Sequence, residues 1–292
     1  MSDAFADKKV KDFQSLLEVL RLEKQGDLLF RGHNMQVPWG RVYGGQVLAQ
    51  ALYAAHQTVS DEYKVHSQHA YFIRPGQVHI DIDFEVEIVR DGRGFCTRRV
   101  TALQNGKAIL ISSLSFQRPE DGLEQQCEFQ ADAPVEGLQT EHERQIEYCE
   151  AKGLDPDKRT LEIEYRSTNP FDHLNPTPMP PRVGVWMRAS GKVEDPILNQ
   201  ALLSYMSDSY LLDTSLLPHG ISYYNPKLQS ASLDHALWFY DQIDASEWHY
   251  YELDSPKTAG ARGLNFGKIY RKDGCLVAAA AQECLMRMVD SK

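Results

Sequence analysis

Basic charge is scarce. The 292-residue chain carries 31 Lys and Arg against 41 Asp and Glu, a net charge of −10. Proteins that bind nucleic acid usually show a basic face, so the balance argues against that class. It leaves room for an anionic small ligand held by a local patch of Arg or Lys. Cysteine is sparse as well. Cys96, Cys127, Cys149, Cys275 and Cys284 are odd in number, form no CxxC and join no His at metal-ligand spacing. They read as free thiols in a reducing compartment, with no metal implied. Long apolar runs are missing: CLVAAAA at 275–281 is among the longest, far short of the roughly 18 residues that span a bilayer. The opening MSDAFADKKVKDF lacks the apolar stretch of a secretory signal, and the closing DSK is not the peroxisomal SKL. These absences predict a soluble, cytoplasmic protein without stable membrane insertion. No GxSxG elbow occurs, and no Ser stands at a recognisable spacing from a His and an acid, so no covalent serine chemistry is expected.

What is present is apolar content: 42% hydrophobic residues, enough for a real core, on a length compatible with two domains. Phe13, Leu16, Leu17 and Leu20 stripe an amphipathic helix over VKDFQSLLEVLRLEK (10–24). GDLLFRG reads as a short strand. VYGGQVLAQALYAAHQTV (42–59) follows, its glycines preceding a helical run on small side chains. Such a helix admits close approach on several sides, as a central, sheet-wrapped helix would require. Then the period changes to two. HIDIDFEVEIV (79–89) puts Ile80, Ile82, Phe84, Val86 and Ile88 on one face and acids on the other, the pattern of a half-buried antiparallel strand. RDGRG turns into GFCTRRVTAL, and the Asn-Gly of QNGK, a strong hairpin signal, turns into AILISSLSFQ.

Residues 118–181 hold eight of the 14 prolines. NPFDHLNPTPMPPR (169–182) is excluded from helix and central strand. We expect a connection over 119–160 that crosses the surface, with a helix near 140–152, and a strand at TLEIEYRS (160–167). A second helix is predicted over PILNQALLSYMSDSYLL (196–212), followed by SASLDHALWFY, EWHYYELDS, ARGLNFGKIY and CLVAAAAQECLMR. QHAYF around His69 parallels DHALWF around His235, and each half closes with an apolar strand after a hairpin glycine, Gly106 or Gly274. This is an internal duplication: a helix, then four antiparallel strands, twice. The predicted fold is α+β, a double hotdog, with one unit over 1–118, a connection over 119–160 and a second unit over 161–292.

One acid stands out. In the helix expected at 196–212, Asp208 shares a face with Tyr205, Leu211 and Leu212, and a carboxylate there is costly unless something satisfies it. Gln282 interrupts an Ala-rich strand, and Ser232 begins SLDH. None of these alone points to catalysis: a helix acid is usually a cap, a pair or exposed, and a buried amide is usually structural. His66, His69 and His235 are possible bases near neutral pH. His69 and His235 read as packed or hydrogen-bonded, and His66 keeps a minor chance of contacting a site.

RVYGGQVLAQALYAA, VHSQHAYFIRPG, VEIVRDGRGFCTRRVTALQNGKAI, LLPHGI, SLDHALWF and AAQECLMR resemble, in order and over nearly the whole chain, the acyl-CoA thioesterase II family. The resemblance implies hydrolysis of acyl-CoA to free fatty acid and coenzyme A, a homo-oligomer (dimer or tetramer), and no metal or redox cofactor. Carried over residue by residue, it implies catalytic roles for Asp208, Ser232 and Gln282. Ser232 replaces the family's Thr, keeping the hydroxyl and losing the methyl that restrains χ1. A thioester carbonyl accepts attack by a directed water, given a proton acceptor, a group that orients the water and donors for the oxyanion. Asp208 suits the first role, Gln282 and Ser232 the second. Gly44, Gly45 and Gln46, at a helix N-terminus with unpaired N–H groups, are expected to border the substrate. Arg74, Arg98, Arg99 and Arg262 are candidate phosphate anchors, and Met206, Tyr210 and Trp238 candidate ends of an acyl channel; all also suit plain structural roles. Two other classes compete: an acyl-CoA binder without hydrolysis, and a hotdog enoyl-CoA hydratase. The presence of all three candidate residues argues against the first. The lack of a convincing Asp/His or Glu/His pair near a glycine argues against the second.

Overall fold

The computed structural model describes residues 13–37, 40–156 and 161–289. The predicted helix start at 10–12, Thr160 of the predicted strand and the termini lie outside them. In chain order the elements are α1 (Phe13–Leu20), β1 (Glu23–Lys24), β2 (Leu29–Gly32), α2 (Gly44–His56), β3 (Lys64–Phe72), β4 (Ile82–Asp91), β5 (Phe95–Gln104) and β6 (Lys107–Gln117). After α3 (Glu141–Ala151) come β7 (Ile163–Ser167), β8 (Arg182–Ala189), α4 (Pro196–Ser207), α5 (Leu211–Leu216), β9 (Leu228–Ser232), β10 (Asp234–Phe239), β11 (His249–Ala259), β12 (Arg262–Arg271) and β13 (Leu276–Met288). No helix among the described residues is long and apolar enough to cross a membrane.

The strands form one antiparallel sheet in the order β1-β2-β4-β5-β6-β3-β10-β13-β12-β11-β8-β7. The order repeats about its middle: β2-β4-β5-β6-β3 on one side matches β8-β11-β12-β13-β10 on the other. The halves join where β3 pairs with β10, Ala70 opposite His235 and Gln68 opposite Leu237. α2 touches β2 through β6, and its Leu48, Ala51, Leu52 and Ala55 are fully buried. The small residues let α4 lie directly against it. Truncating a buried Leu at such a place costs about 2–5 kcal/mol. Asn105 and Gly106, both at positive φ, make the predicted Asn-Gly hairpin between β5 and β6.

Several expectations need correction. The first helix ends at Leu20, not 24, and Glu23 and Lys24 pair with Arg31 and Phe30 as β1. Each half also has strands ahead of its central helix, β1 and β2 before α2 and β7 and β8 before α4, and in the second half five strands follow it, β9 and β10 taking the place of β3 in the first. β8 escaped prediction because it lacks alternation: five consecutive residues, Val183 to Met187, are buried. Its inner face joins the main core, while Trp186 packs outward with Tyr250, Tyr270 and Val135. The connection therefore covers the outside of the sheet, and Trp186 Nε1 donates to Ala133 O at 2.9 Å. The second helix ends at Ser207, not 212. Asp195 caps its start, accepting from Ile197 N, and α3 carries a complete capping box from Thr140 and Glu143. Finally, His69 and His235 are not equivalent. His69 points outward, whereas His235 is 1% exposed, and the inward residue on β3 is Gln68.

Candidate active site

Asp208 is the C-cap of α4. The chain then turns through Tyr210 in the left-handed region (φ 66°) and starts α5. A non-glycine residue held there costs roughly 1–3 kcal/mol, so the surrounding packing must hold the turn. A carboxylate at the negative end of a helix is also unfavourably placed and needs a donor. Ser232 supplies it: its Oγ donates to Asp208 Oδ1 at 3.0 Å. Ser232 ends β9, which lies along β13 with Ser232 opposite Cys284. Gln282, 1% exposed on the same strand, donates from Nε2 to Ser232 Oγ at 3.1 Å. The three residues named from the sequence thus form one hydrogen-bonded line across α4, β9 and β13.

The line continues inward. Gln282 Oε1 lies 2.6 Å from His235 Nδ1, and His235 Nε2 lies 2.9 Å from Ser207 Oγ. Burial pushes the His235 imidazole below its ordinary pKa, against the opposing pull of Asp208 and the Gln282 hydrogen bond. Cys284 accepts from Gln282 Nε2 at 3.3 Å. Burial pushes its thiol up, so it is a packed thiol and not a nucleophile.

Gly44, the first residue of α2, faces Asp208. A Cβ built on Gly44 would stand 2.6 Å from Asp208 Oδ2 and 3.0 Å from the Phe72 ring. A Cβ on Gly45 would collide with the Tyr205 carbonyl oxygen. Gly45 is needed because the backbone of α4 comes up against it, and Gly44 because the Asp208 and Phe72 side chains close on it. The N–H groups of Gly44 and Gly45 have no hydrogen-bond partner among the described residues, as expected for the first turn of a helix. Gln46 differs from expectation: its N–H, unlike those of the two glycines, is taken by Tyr43 O at 3.1 Å, and its side chain turns away and is fully buried. It accepts from Met35 N at 3.0 Å and donates to Asn34 Oδ1 at 2.9 Å. It anchors the loop before α2 and does not face Asp208.

Hydroxyls fasten the two helix ends together. Tyr43, ahead of Gly44, donates to Tyr205 O at 3.1 Å and meets Ser209 Oγ at 2.8 Å. Tyr165 Oη from β7 lies 2.9 Å from the same Ser209 Oγ, and Tyr251 donates to Ser207 O at 2.9 Å. Burial pushes the Tyr43 and Tyr251 phenols well above their ordinary value, and Asp208 adds to both; they remain donors at any working pH.

The other candidates do not converge here. His66 packs edge-on against Phe95, and His69 against Trp238. Arg99 pairs with Glu87 and Arg262 with Glu283, while Arg74 donates to Ala108 O at 2.8 Å. Arg98 is buried beside Asp91 and bonds Thr58. It lines a hollow of about 610 Å³ just beyond the last residue of α2, at the opposite end from Asp208. Met206 is core, fully buried. No group of His, Cys, Asp or Glu among the described residues is arranged to hold a metal. The first half of the sheet lacks the constellation. Val65 lies opposite Phe116 where Ser232 lies opposite Cys284, and Gln68 lies opposite Leu114 on the strand matching that of Gln282. Sequence reasoning missed the tie between His235 and Gln282. The available signal was the alternation of DHALWF, which puts His235, Leu237 and Phe239 on one buried face.

Comparison with known proteins agrees along the chain. The family described as acyl-CoA thioesterase matches residues 154–285, and that described as acyl-CoA thioesterase N-terminal domain matches 35–117. Acyl-CoA thioesterase 2 of Haemophilus influenzae is 34% identical over 280 residues, covering 94% of this chain and 97% of that protein. An acyl-CoA thioesterase II from Mycobacterium marinum superposes with a TM-score of 0.78 at 37% identity, covering 94% of this chain and 98% of that one. A hot dog fold protein from Alicyclobacillus acidocaldarius shares the architecture at a TM-score of 0.74 and 14% identity, covering 94% and 99%; that likeness speaks for the double hotdog fold alone. Matched along nearly its whole length at the identities of the first two, the chain belongs to the acyl-CoA thioesterase family.

Proposed function

We propose that the protein hydrolyses acyl-CoA thioesters to free acid and coenzyme A, using a water activated by Asp208. The observation that carries this is the Ser232 hydroxyl, hydrogen-bonded at once to Asp208 at 3.0 Å and to Gln282 at 3.1 Å. Asp208 keeps Oδ2 turned toward Gly44. A water held between that oxygen and the substrate carbonyl loses its proton to Asp208 as its oxygen bonds to the acyl carbon. The carbonyl oxygen takes the negative charge, and the free N–H groups at the start of α2 are suited to receive it. Collapse breaks the carbon–sulfur bond. Asp208 returns the proton to the departing sulfur, which needs little help because a thiol ionises near pH 8.5. In this reading the reacting side chains belong to the unit at 161–292, and the oxyanion donors to the unit at 1–118.

The test is release of thiol. Incubation with a saturated acyl-CoA should liberate one thiol per acid formed, followed with a chromogenic thiol reagent, and Asp208→Asn should lower kcat by at least about 10²-fold without altering the fold. Tight binding with no release would mean a binder. Hydration of an enoyl-CoA without thiol release would mean a hydratase.

A further inference from the structure

We propose that His235 is a positioning residue for this reaction: its Nδ1–H holds the Gln282 amide in the orientation that directs the Ser232 hydrogen at Asp208. The inference rests on the role of Asp208 proposed above and adds the residue that sets the polarity of the line.

The argument is a count of hydrogens. A carboxamide oxygen only accepts and its NH2 only donates. Gln282 Oε1 faces His235 Nδ1 at 2.6 Å, so Nδ1 carries the hydrogen. The NH2 then spends one hydrogen on Ser232 Oγ at 3.1 Å and the other on Cys284 Sγ at 3.3 Å. Ser232, accepting from Gln282, has a single hydrogen left, and it goes to Asp208 Oδ1 at 3.0 Å. With the amide flipped, the Ser232 hydroxyl would find an acceptor in Gln282, and Asp208 would lose its donor. The flip is blocked because it would set an N–H of the amide against the N–H of the ring.

What sets the ring hydrogen on Nδ1 is the Gln282 carbonyl oxygen 2.6 Å away, and burial disfavours a second ring proton, so Nε2 is left as an acceptor. The Ser207 hydroxyl has a single hydrogen and two acceptors in reach, His235 Nε2 at 2.9 Å and Ser204 O at 2.9 Å. Ser207 directly precedes Asp208, so the chain of contacts runs from Ser207 through His235, Gln282 and Ser232 and closes on the neighbouring residue. His235 is 1% exposed. It has no path to substrate and acts only through Gln282.

The test uses the full chain, with the saturated acyl-CoA turned over fastest in a panel from butyryl-CoA to stearoyl-CoA. His235→Ala should lower kcat about 10- to 100-fold with KM changed by less than about twofold. Introduced into Gln282→Ala, the same change should add nothing further, because the effect passes through the amide. His235→Asn, whose amide N–H sits near the Nδ1 position, should recover most of the kcat; His235→Gln, which reaches toward Nε2, should not. Equal losses from His235→Ala in the wild-type and Gln282→Ala backgrounds would overturn the inference, as would His235→Asn no better than His235→Gln. That last comparison decides alone if the alanine variant does not fold. A wild-type rate in Asp208→Asn would overturn the underlying reading and this inference with it. A wild-type rate in His235→Ala beside an impaired Asp208→Asn would overturn this inference only.

Discussion

The Tyr43 hydroxyl stands 2.8 Å from the Ser209 hydroxyl. One residue immediately precedes Gly44 at the start of α2, and the other immediately follows Asp208 at the end of α4. The contact therefore sets the separation of the proposed oxyanion donors from the proposed base. Tyr43→Phe removes it and the bond to Tyr205 O while keeping the ring that packs edge-on against Tyr205. Hydrogen bonds of this kind are worth about 0.5–1.5 kcal/mol each. We expect kcat to fall about threefold to tenfold with a folded protein. Steady-state kinetics on the variant check this, and an unchanged kcat/KM would mean the helix ends are held by packing alone.

Gly44→Ala tests the other side of the same approach. The added methyl would meet Asp208 Oδ2 at 2.6 Å and the Phe72 ring at 3.0 Å, closer than real Cβ contacts allow. The atoms in the way are side-chain ends, so the fold should survive while the carboxylate shifts. A displacement of about 1 Å at a reacting group can cost about 10²-fold, and kcat should drop on that order. Gly45→Val would strike the Tyr205 carbonyl itself and should lose stability as well as activity, seen as a lower Tm. Full activity in Gly44→Ala would remove the α2 terminus from the site.

Ser232 offers a matched pair. Ser232→Ala deletes the hydroxyl that joins Asp208 to Gln282 and leaves a buried amide and a carboxylate each short of a partner. The expected loss in kcat is about 10- to 100-fold. Ser232→Thr keeps the hydroxyl and restricts its rotamers, so it should stay within about threefold of the parent. Two equally active variants would show that the hydroxyl does not take part.

The sequence was informative where the physical signal is local. Alternation in HIDIDFEVEIV, the Asn-Gly turn at Asn105 and Gly106 and the small residues of α2 each encode a backbone state, and each element formed; the strand starts only at Ile82, with Ile80 in the turn ahead of it, and Ile88, beside a register shift, is exposed. β8 was hidden because Trp186 and Val185 are buried on opposite faces, which erases the period. The end of α4 was hidden because Leu211 and Leu212 continue a helical pattern that Tyr210 breaks by its backbone angle. Nothing in a tyrosine announces a positive φ. The trio was reachable only through family resemblance, since its members stand on three elements far apart in sequence. His235 reads in sequence as a structural histidine, and it is one by burial; its contact with Gln282 appears only once β10 and β13 lie side by side.

A last prediction concerns the connection that crosses the second unit. Glu141, at the start of α3, is pushed up to about 7 by burial, with Asp213 adding to the shift. Asp213 itself is pushed up to about 6 by burial, and His173, with Nε2 4.0 Å from Glu141, is pushed down to about 4 by burial. Glu141 therefore holds a proton in the folded protein that it loses near pH 4.5 when unfolded. Between those values the folded state binds more protons, so the contribution of Glu141 to stability falls as pH rises from about 4.5 to about 7 and then stays low. Asp213 works in the same sense as Glu141 between about 3.8 and 6, and His173 in the opposite sense between about 4 and 6.5, so the wild-type profile alone mixes the three. Glu141→Gln isolates the acid: the amide cannot ionise, and the variant should gain on the wild type as pH increases. We expect the difference in urea midpoint between variant and parent to grow from pH 5 to pH 8, by on the order of 1–2 kcal/mol in unfolding free energy after allowing for partial exposure. A difference that is flat across that range would mean Glu141 is ionised in the folded protein throughout, held by Arg144 and not by burial.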